Sequence, residues 1–310
     1  MKALVARSYG PLEELVITDL PKPSPGPGQL LVRTQAAALN PVDVALVTGV
    51  MKDVLPVEHP FVPGVDITGV VEAVGAGVTR FSVGDPVLAW NGIPSGTLAE
   101  YALVRDAPST AVRPAGLDVA PAAGLPTGAL TAAALLDATK VQPGQTVLVV
   151  GASGGVGSYV VQFARQAGAT VLATGRAQDD EFLRRLGADD TIDYQRGNLV
   201  QDVLLRVPGG VDAVIDMASS GPALAVTASA AKPGGQLISP LGGPSTFDRG
   251  VVVTYTGTTE PEGRLDALAA QAAEGRLRVE IAATYAFADS RQALIDFATG
   301  HFQGKVTIAF

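Results

Sequence analysis

The segment Val147-Leu-Val-Val-Gly-Ala-Ser-Gly-Gly-Val-Gly157 sets glycines at 151, 154 and 157, behind an apolar run and ahead of a helix-compatible stretch, Gly155–Ala167. The first glycine permits a tight turn, the second lets backbone approach a pyrophosphate, and the third lets a helix pack closely on a strand. Free N–H groups at the helix start would hold the phosphates, so Gly151, Ala152, Ser153, Gly154, Gly155, Val156 and Gly157 are predicted to cradle a dinucleotide. The same residues contain Gly-Ala-Ser-Gly-Gly, which also fits the nucleophile elbow of a serine hydrolase, with Ser153 followed by several acids and then His301. An elbow has no need of Gly157, the chain has no His-Gly-Gly-Gly oxyanion segment, and His301 lies in Gly-His-Phe-Gln-Gly-Lys, which reads as a turn. The dinucleotide reading is therefore preferred, with the Ser153 hydroxyl as a phosphate ligand; a Ser153/His301 hydrolase is the alternative from another class.

The end of the next strand speaks to which dinucleotide. An acid about 20 residues on would bind a ribose 2′-hydroxyl, whereas an arginine suits a 2′-phosphate. Here the residues are Thr174, Gly175 and Arg176, and no carboxylate is among them. NADPH is the predicted cofactor. Asp179 and Asp180 read as the N-terminal residues of the following helix. Two further turns, Ala218-Ser219-Ser220 and Ser239-Pro-Leu241-Gly242, follow later strands at the edge where open α/β sheets bind ligands.

Other chemistry is excluded by counting. In 310 residues there is no cysteine, and His59 and His301 are the only histidines. Disulfides, thiolate zinc sites, a cysteine nucleophile and a three-histidine metal site are ruled out. No tyrosine is followed by lysine at the fourth position, so the Tyr/Lys pair of short-chain reductases is missing. The formal charge of −8 argues against a nucleic-acid partner. Hydrophobic residues at 47% against 17% charged give enough apolar surface for a large core. No segment reads as a cleavable leader or a membrane span, so a soluble, cytoplasmic protein is expected.

The elements that must position these residues fall into two patterns. Up to about residue 110 the chain reads as short strands bounded by Gly, Pro or Asp: Lys2–Arg7, Leu30–Ala38, Ile67–Val74, Pro86–Trp90 and Ala99–Val104. From Leu117 it alternates. Ala120–Ala138 is helix-compatible despite the interruption at Gly124–Gly128, and Thr146–Val150 reads as a buried strand, with further strands at Thr170–Thr174, Ala213–Met217 and Gln236–Ser239. Between these strands lie helical segments at Gly155–Ala167, Asp180–Leu186 and Ala223–Ala231, which predicts a doubly wound parallel sheet. The chain closes with helix Leu265–Glu274, strand Ile281–Tyr285, helix Ser290–Thr299 and strand Lys305–Ala309, the last expected to return to the first domain.

Pro60-Phe-Val-Pro-Gly-Val-Asp-Ile-Thr-Gly-Val-Val-Glu-Ala-Val-Gly75 and Phe81-Ser-Val-Gly-Asp-Pro-Val87 resemble the signature of the medium-chain dehydrogenase/reductase superfamily. Asn40-Pro-Val-Asp43, Gly96–Tyr101, Leu125–Ala132, Leu186–Asp189 and Lys232–Leu237 are similar to its zinc-free quinone oxidoreductase branch. The resemblance implies an α/β protein with two domains. A GroES-like, mostly β substrate domain would take residues 1–118 and 272–310, and a Rossmann NADP-binding domain residues 119–271.

The resemblance also implies residue roles. Zinc-dependent members carry a Cys where this chain has Asn40 and Gly-His-Glu where it has Gly64-Val65-Asp66. Without a Lewis acid an alcohol loses its usual electrophile, so a quinone or an α,β-unsaturated carbonyl (an enone) is the expected substrate. Asn40 and Asp43 would line the nicotinamide end, Thr127 would contact the cofactor, and Tyr194 would flank the adenosine phosphate. From its own residues, Asp43 also reads as a helix cap over Val44–Thr48. Candidate proton donors are Tyr255, Tyr9 or water, and Val44, Ala45, Leu46 and Val47 suggest an apolar pocket. A homodimer is expected, and a catalytically silent NADPH-binding protein of the same fold is the remaining alternative.

Overall fold

Short Val/Leu/Ala-rich runs separated by proline and glycine make the first part of the chain a sheet, because branched and apolar side chains fit a pleated, half-buried surface. The computed structural model describes residues 1–93 and 96–310. It divides into two compact units, Met1–Thr127 with Glu260–Phe310, and Gly128–Thr259. In chain order the first stretch gives β1 (Lys2–Val5), β2 (Val16–Asp19), β3 (Gln29–Ala38), α1 (Pro41–Thr48), β4 (Asp66–Val74), β5 (Pro86–Trp90), β6 (Tyr101–Arg105), β7 (Thr110–Val112) and α2 (Val119–Gly124). Then follow α3 (Pro126–Thr139), β8 (Thr146–Val150), α4 (Gly157–Gln166), β9 (Thr170–Gly175), α5 (Asp180–Leu186), β10 (Asp190–Asp193), α6 (Leu199–Arg206), β11 (Val211–Asp216), α7 (Leu224–Ala228), β12 (Ala231–Ser239) and β13 (Val252–Tyr255). The remainder is α8 (Arg264–Ala273), β14 (Ile281–Ala286), α9 (Ser290–Thr299) and β15 (Lys305–Ala309).

In the first unit the large sheet runs β14-β15-β3-β4-β5-β7, with β6 also paired to β3. The terminal strand does return: β15 lies antiparallel to β3, with Ile308 opposite Ala37. Leu30, Val32, Ile67, Val71, Phe81 and Val87 form one of its cores. The helix expected over Ala120–Ala138 is instead two helices, α2 and α3, broken at Leu125. Pro126 is the cause, since it has no N–H to donate and so opens a helix more readily than it continues one.

The second unit holds a six-stranded sheet in the order β10-β9-β8-β11-β12-β13, every pair parallel. This is the Rossmann order, and it reverses between β8 and β11, so the turns after those two strands face the crevice where such sheets take ligands. Leu148, Leu172, Val214 and Leu237 bury one face. The helix expected over Ala223–Ala231 stops at Ala228, because Ala231 pairs with Val211 as the start of β12. Sequence reading passes over β10, α6 and β13. The edge strand β10, Asp-Thr-Ile-Asp, has no apolar run to mark it, and β13 is largely exposed. No described helix is long and apolar enough to cross a membrane.

Candidate functional site

In the second unit the strand-to-helix turn after β8 depends on glycine at two of its positions, 151 and 157. Gly151 has φ +81°, a left-handed conformation that favours glycine. A Cβ on Gly157 would sit 2.1 Å from the Gly151 carbonyl oxygen and 2.7 Å from Ala152 Cα, so only glycine lets α4 start this close to β8. The Gly151 N–H donates to Thr174 Oγ1 at 3.1 Å, tying the turn to the end of β9. On the other side, Ala218 Cβ lies 3.4 Å from where a Gly151 Cβ would be.

The neighbouring turns are shaped by a residue that sequence reading missed. Asp216, fully buried at the end of β11, accepts the Ala218 and Ser219 N–H groups at 2.9 and 2.8 Å and the Thr227 hydroxyl at 2.7 Å. An acid closing an apolar strand is the signal that could have found it. After β12, the Leu241 N–H donates to Ser239 Oγ at 3.0 Å, and the Gly242 carbonyl accepts from Gly221 N–H at 3.0 Å. The predicted turns at Gly151–Gly157, Ala218-Ser219 and Leu241-Gly242 are thus brought to one edge of one sheet.

Arg176 follows β9, held by its own N–H donating to Asp179 Oδ2 at 2.8 Å. Its Nε donates to the Tyr194 hydroxyl at 3.1 Å, while its two terminal nitrogens have no partner among the described residues. Gly175, Arg176, Thr191, Asp193, Arg196 and Arg206 line a pocket of about 230 Å³. Arg206 spends its charge on Asp190 at 2.6 Å. Asp180, also on the lining, is held below the usual carboxylate range by the Thr191 hydroxyl and then by Arg184.

Tyr255 ends β13, 37% exposed, and its hydroxyl donates to the Pro244 carbonyl at 2.7 Å. Burial pushes its phenol up from the ordinary value. Tyr9, in the first unit, accepts the Val57 N–H at 2.8 Å and directs its own proton to the Val57 carbonyl at 3.4 Å.

The first unit contains a buried polar network around Asn40 and Asp43. The helix cap is Asn40, not Asp43: α1 starts at Pro41, and Asp43 sits in its first turn, where its Oδ2 accepts the Asn40 N–H at 2.8 Å. Asp43 Oδ1 accepts the Gly64 N–H at 3.1 Å. The Asn40 amide donates to Asp66 Oδ2 at 2.9 Å and to the Ala38 carbonyl at 3.3 Å, and its oxygen accepts from Lys305 Nζ at 2.7 Å. Lys305 also reaches Asp66 Oδ2 at 3.3 Å. Thr127 gives Asp66 Oδ1 both its N–H, at 2.9 Å, and its hydroxyl proton, at 2.5 Å.

Asn40, Asp43, Asp66 and Lys305 are all buried, with Lys305 3% exposed. Burial pushes the Asp43 carboxyl up to about 7; the Asp66 charge adds to this, while the Asn40 and Gly64 N–H groups and Lys305 pull the other way. The site role of Lys305 was missed because a single lysine opening a terminal strand reads as a surface residue. A cation at the head of an otherwise buried strand is the available signal. In the apolar segment after Asp43, Leu46 and Val47 are buried in the core, Val44 is half-buried and packs against the same core, and Ala45 is half-buried.

Comparison with known proteins fits this architecture. The family described as alcohol dehydrogenase GroES-like domain matches residues 26–114, and that described as zinc-binding dehydrogenase matches residues 186–308. A chloroplastic quinone-oxidoreductase, QR1, of Triphysaria versicolor is 32% identical over 309 residues, covering 94% of this chain and 92% of its own. The chloroplastic NADPH-dependent alkenal/one oxidoreductase of Arabidopsis thaliana is 36% identical over 250 residues, covering 76% of this chain and 64% of its own. Mycobacterial Rv1454c, solved in complex with NADPH, superposes with a TM-score of 0.87 at 28% identity over 100% of both chains. The chain has no cysteine, no group of three or more His, Cys, Asp or Glu among the described residues could hold a metal ion, and the carboxylate of Asp66 already faces an ammonium. With the Rossmann order, the GroES-like sheet and a relative aligned over nine-tenths of both chains, this chain belongs to the medium-chain dehydrogenase/reductase superfamily, in its quinone oxidoreductase branch.

Proposed function

We propose that the chain is a zinc-independent reductase that transfers hydride from NADPH to a quinone or an α,β-unsaturated carbonyl. The observation that carries the cofactor is Arg176, a guanidinium at the end of β9 with two uncommitted nitrogens beside Tyr194, in the same unit as a glycine turn in which position 157 has no room for a Cβ. NADPH fits this cradle. The N–H groups of Ser153–Gly157 hold the pyrophosphate, the Ala218-Ser219 and Leu241-Gly242 turns border it, and Arg176 takes the 2′-phosphate. The names of the relatives, a quinone oxidoreductase and an alkenal/one oxidoreductase, support the substrate class.

When bound, a reduced nicotinamide supplies a hydride, which a conjugated system accepts at carbon while negative charge develops on its oxygen. This chain's residues divide the remaining work. Asn40 and Asp43 have their hydrogen-bonding groups occupied inside the protein, so they position the start of α1 rather than touch substrate. Half-buried Val44 and Ala45 give the substrate an apolar wall. Tyr255 and Tyr9 both direct their protons to carbonyls, and water supplies the proton that completes the reduction. In this reading the unit that begins the chain handles substrate, and the parallel-sheet unit handles cofactor.

The test is NADPH absorbance with a panel of quinones and enones, alongside melting temperature with and without NADPH. Turnover of one or more panel members is expected, with a rise in melting temperature on NADPH. A raised melting temperature with flat traces across the panel points to a silent binder. No response to NADPH, with Ser153 labelled by a fluorophosphonate, replaces the reading by a hydrolase.

A further inference from the structure

The pocket beside Arg176 carries a further uncommitted cation. Strands β9 and β10 are paired in parallel with Asp193 opposite Gly175, so the residues that follow them, Arg176 and Tyr194, leave the sheet side by side. Tyr194 opens a single 3-10 turn, Tyr194–Arg196, which the Asp193 carboxylate caps by accepting the Gln195 N–H at 3.1 Å. Gly197, at φ +81°, closes the turn, its N–H donating to the Tyr194 carbonyl at 3.2 Å. This turn carries Arg196 to the pocket that Arg176 lines from the β9 side.

The charged residues of the lining are Arg176, Arg196, Arg206, Asp180, Asp193 and Asp202. Most are answered within the protein. Arg206 Nε meets Asp190 at 2.6 Å, its Nη1 donates to the Asp202 carbonyl at 2.8 Å, and the Asp202 carboxylate lies 4.0 Å from the same nitrogen. Asp180 accepts from the Thr191 hydroxyl and from Arg184 Nε at 3.1 Å, and Asp193 accepts the Gln195 N–H. Arg196 is different. Its side chain is 77% exposed, and its Nε stands 3.6 Å from Asp193 Oδ2, an ion pair too long for a hydrogen bond. None of its nitrogens donates a hydrogen bond among the described residues, which leaves two guanidiniums, Arg176 and Arg196, with donors to spare at neighbouring strand ends.

We propose that Arg196 is a second specificity-determining residue for the 2′-phosphate, so that this group is gripped from both strand ends, by Arg176 after β9 and by Arg196 after β10. The chemistry that fits is a phosphate monoester, which carries a charge of about −1.5 to −2 at pH 7 and offers three acceptor oxygens to the two forks. A ribose hydroxyl is neutral and draws on neither. The inference rests on the reading that Arg176 meets the 2′-phosphate of NADPH, and it adds a residue that counting along from the glycine turn does not reach. Arg196 keeps most of its contact with water, so its share is the smaller of the two.

The experiment measures dissociation constants of the purified full chain for NADPH, NADH, 2′-phospho-AMP and AMP. Arg196→Ala is expected to weaken NADPH and 2′-phospho-AMP about three- to tenfold and to leave NADH and AMP nearly unchanged. Arg196→Lys, which keeps the charge and loses the fork, should recover part of that loss. Combining Arg176→Ala with Arg196→Ala should abolish the preference for NADPH over NADH.

An unchanged NADPH constant in Arg196→Ala overturns the inference, and if Arg176→Ala still lowers NADPH affinity selectively, the cofactor reading survives it. Equal weakening of NADPH and NADH in Arg196→Ala also overturns it, because Arg196 then only holds the turn together; a lowered melting temperature would accompany that result. If Arg196→Ala lowers the preference and Arg176→Ala does not, Arg196 keeps its role and the assignment of Arg176 is what fails. A wild type that does not distinguish 2′-phospho-AMP from AMP, or that binds neither dinucleotide, overturns the cofactor reading and the inference together.

Discussion

Lys305 Nζ donates to the side-chain oxygen of Asn40 at 2.7 Å, across a separation of 265 residues. The contact closes β15 onto the loop before α1 and leaves a lysine with 3% of its surface exposed. Removing one partner of a buried charged pair leaves the other uncompensated, at a cost of about 3–5 kcal/mol. Lys305→Met is therefore expected to lose stability on that scale in chemical denaturation, and Lys305→Arg to lose less. A loss under about 1 kcal/mol would show that the network does not hold the fold.

Asp43 should make stability depend on pH with a sign opposite to that of most carboxylates. Its folded value lies near 7, above the ordinary 3.8, so the folded state keeps a proton that the unfolded chain has released between those two values. The stabilisation is full below pH 3.8 and is lost as the pH rises through about 7, with a slope of up to about 1.4 kcal/mol per unit. Asp43→Asn is neutral throughout and should lack this slope. The check is the difference in unfolding free energy between wild type and variant from pH 4 to 8; a difference that does not change with pH contradicts the assignment.

Arg176→Ala should separate the two nicotinamide dinucleotides. Its uncommitted guanidinium nitrogens have nothing to do for NADH, which lacks the 2′-phosphate. Charge-assisted hydrogen bonds are worth roughly 1.5–3 kcal/mol, so NADPH affinity should fall about ten- to hundredfold and NADH affinity little. Equal losses for both would take Arg176 away from the 2′-phosphate.

Gly157→Ala should damage the cradle itself. The added methyl would meet the Gly151 carbonyl at 2.1 Å, and the backbone must shift to admit it. Overpacking of this kind costs about 1–3 kcal/mol, and dinucleotide affinity should drop with it. Gly154, whose added carbon would meet only the Gly151 oxygen at 3.5 Å, is the control, and Gly154→Ala should cost less stability. Equal costs would remove close helix–strand packing as the reason for Gly157.

Tyr255→Phe loses one hydrogen bond to the Pro244 carbonyl at a 37% exposed position. Stability should change by no more than about 1 kcal/mol, and kcat by less than about twofold. A tenfold fall in kcat, with NADPH affinity unchanged, would restore Tyr255 as the proton donor in place of water.

The sequence by itself determined the parallel-sheet unit and its turn, because glycine spacing, apolar runs and chain order are local properties that survive without knowledge of contacts. Arg176 was legible for the same reason: its position is counted along one β-α-β unit from the glycine turn. Counting also excluded cysteine and three-histidine chemistry. The tertiary structure alone decided what occupies the buried core beside Asn40. Asp66, Thr127 and Lys305 stand 26, 87 and 265 positions along from it, and no periodicity relates them. It likewise decided that Asn40 and Asp43 spend their polar groups inside the protein, and that Asp216 folds the turn after β11. Each depends on which donors reach a buried oxygen, and that is set by how β3, β4 and β15 come together in one sheet, or by how β11 meets α7.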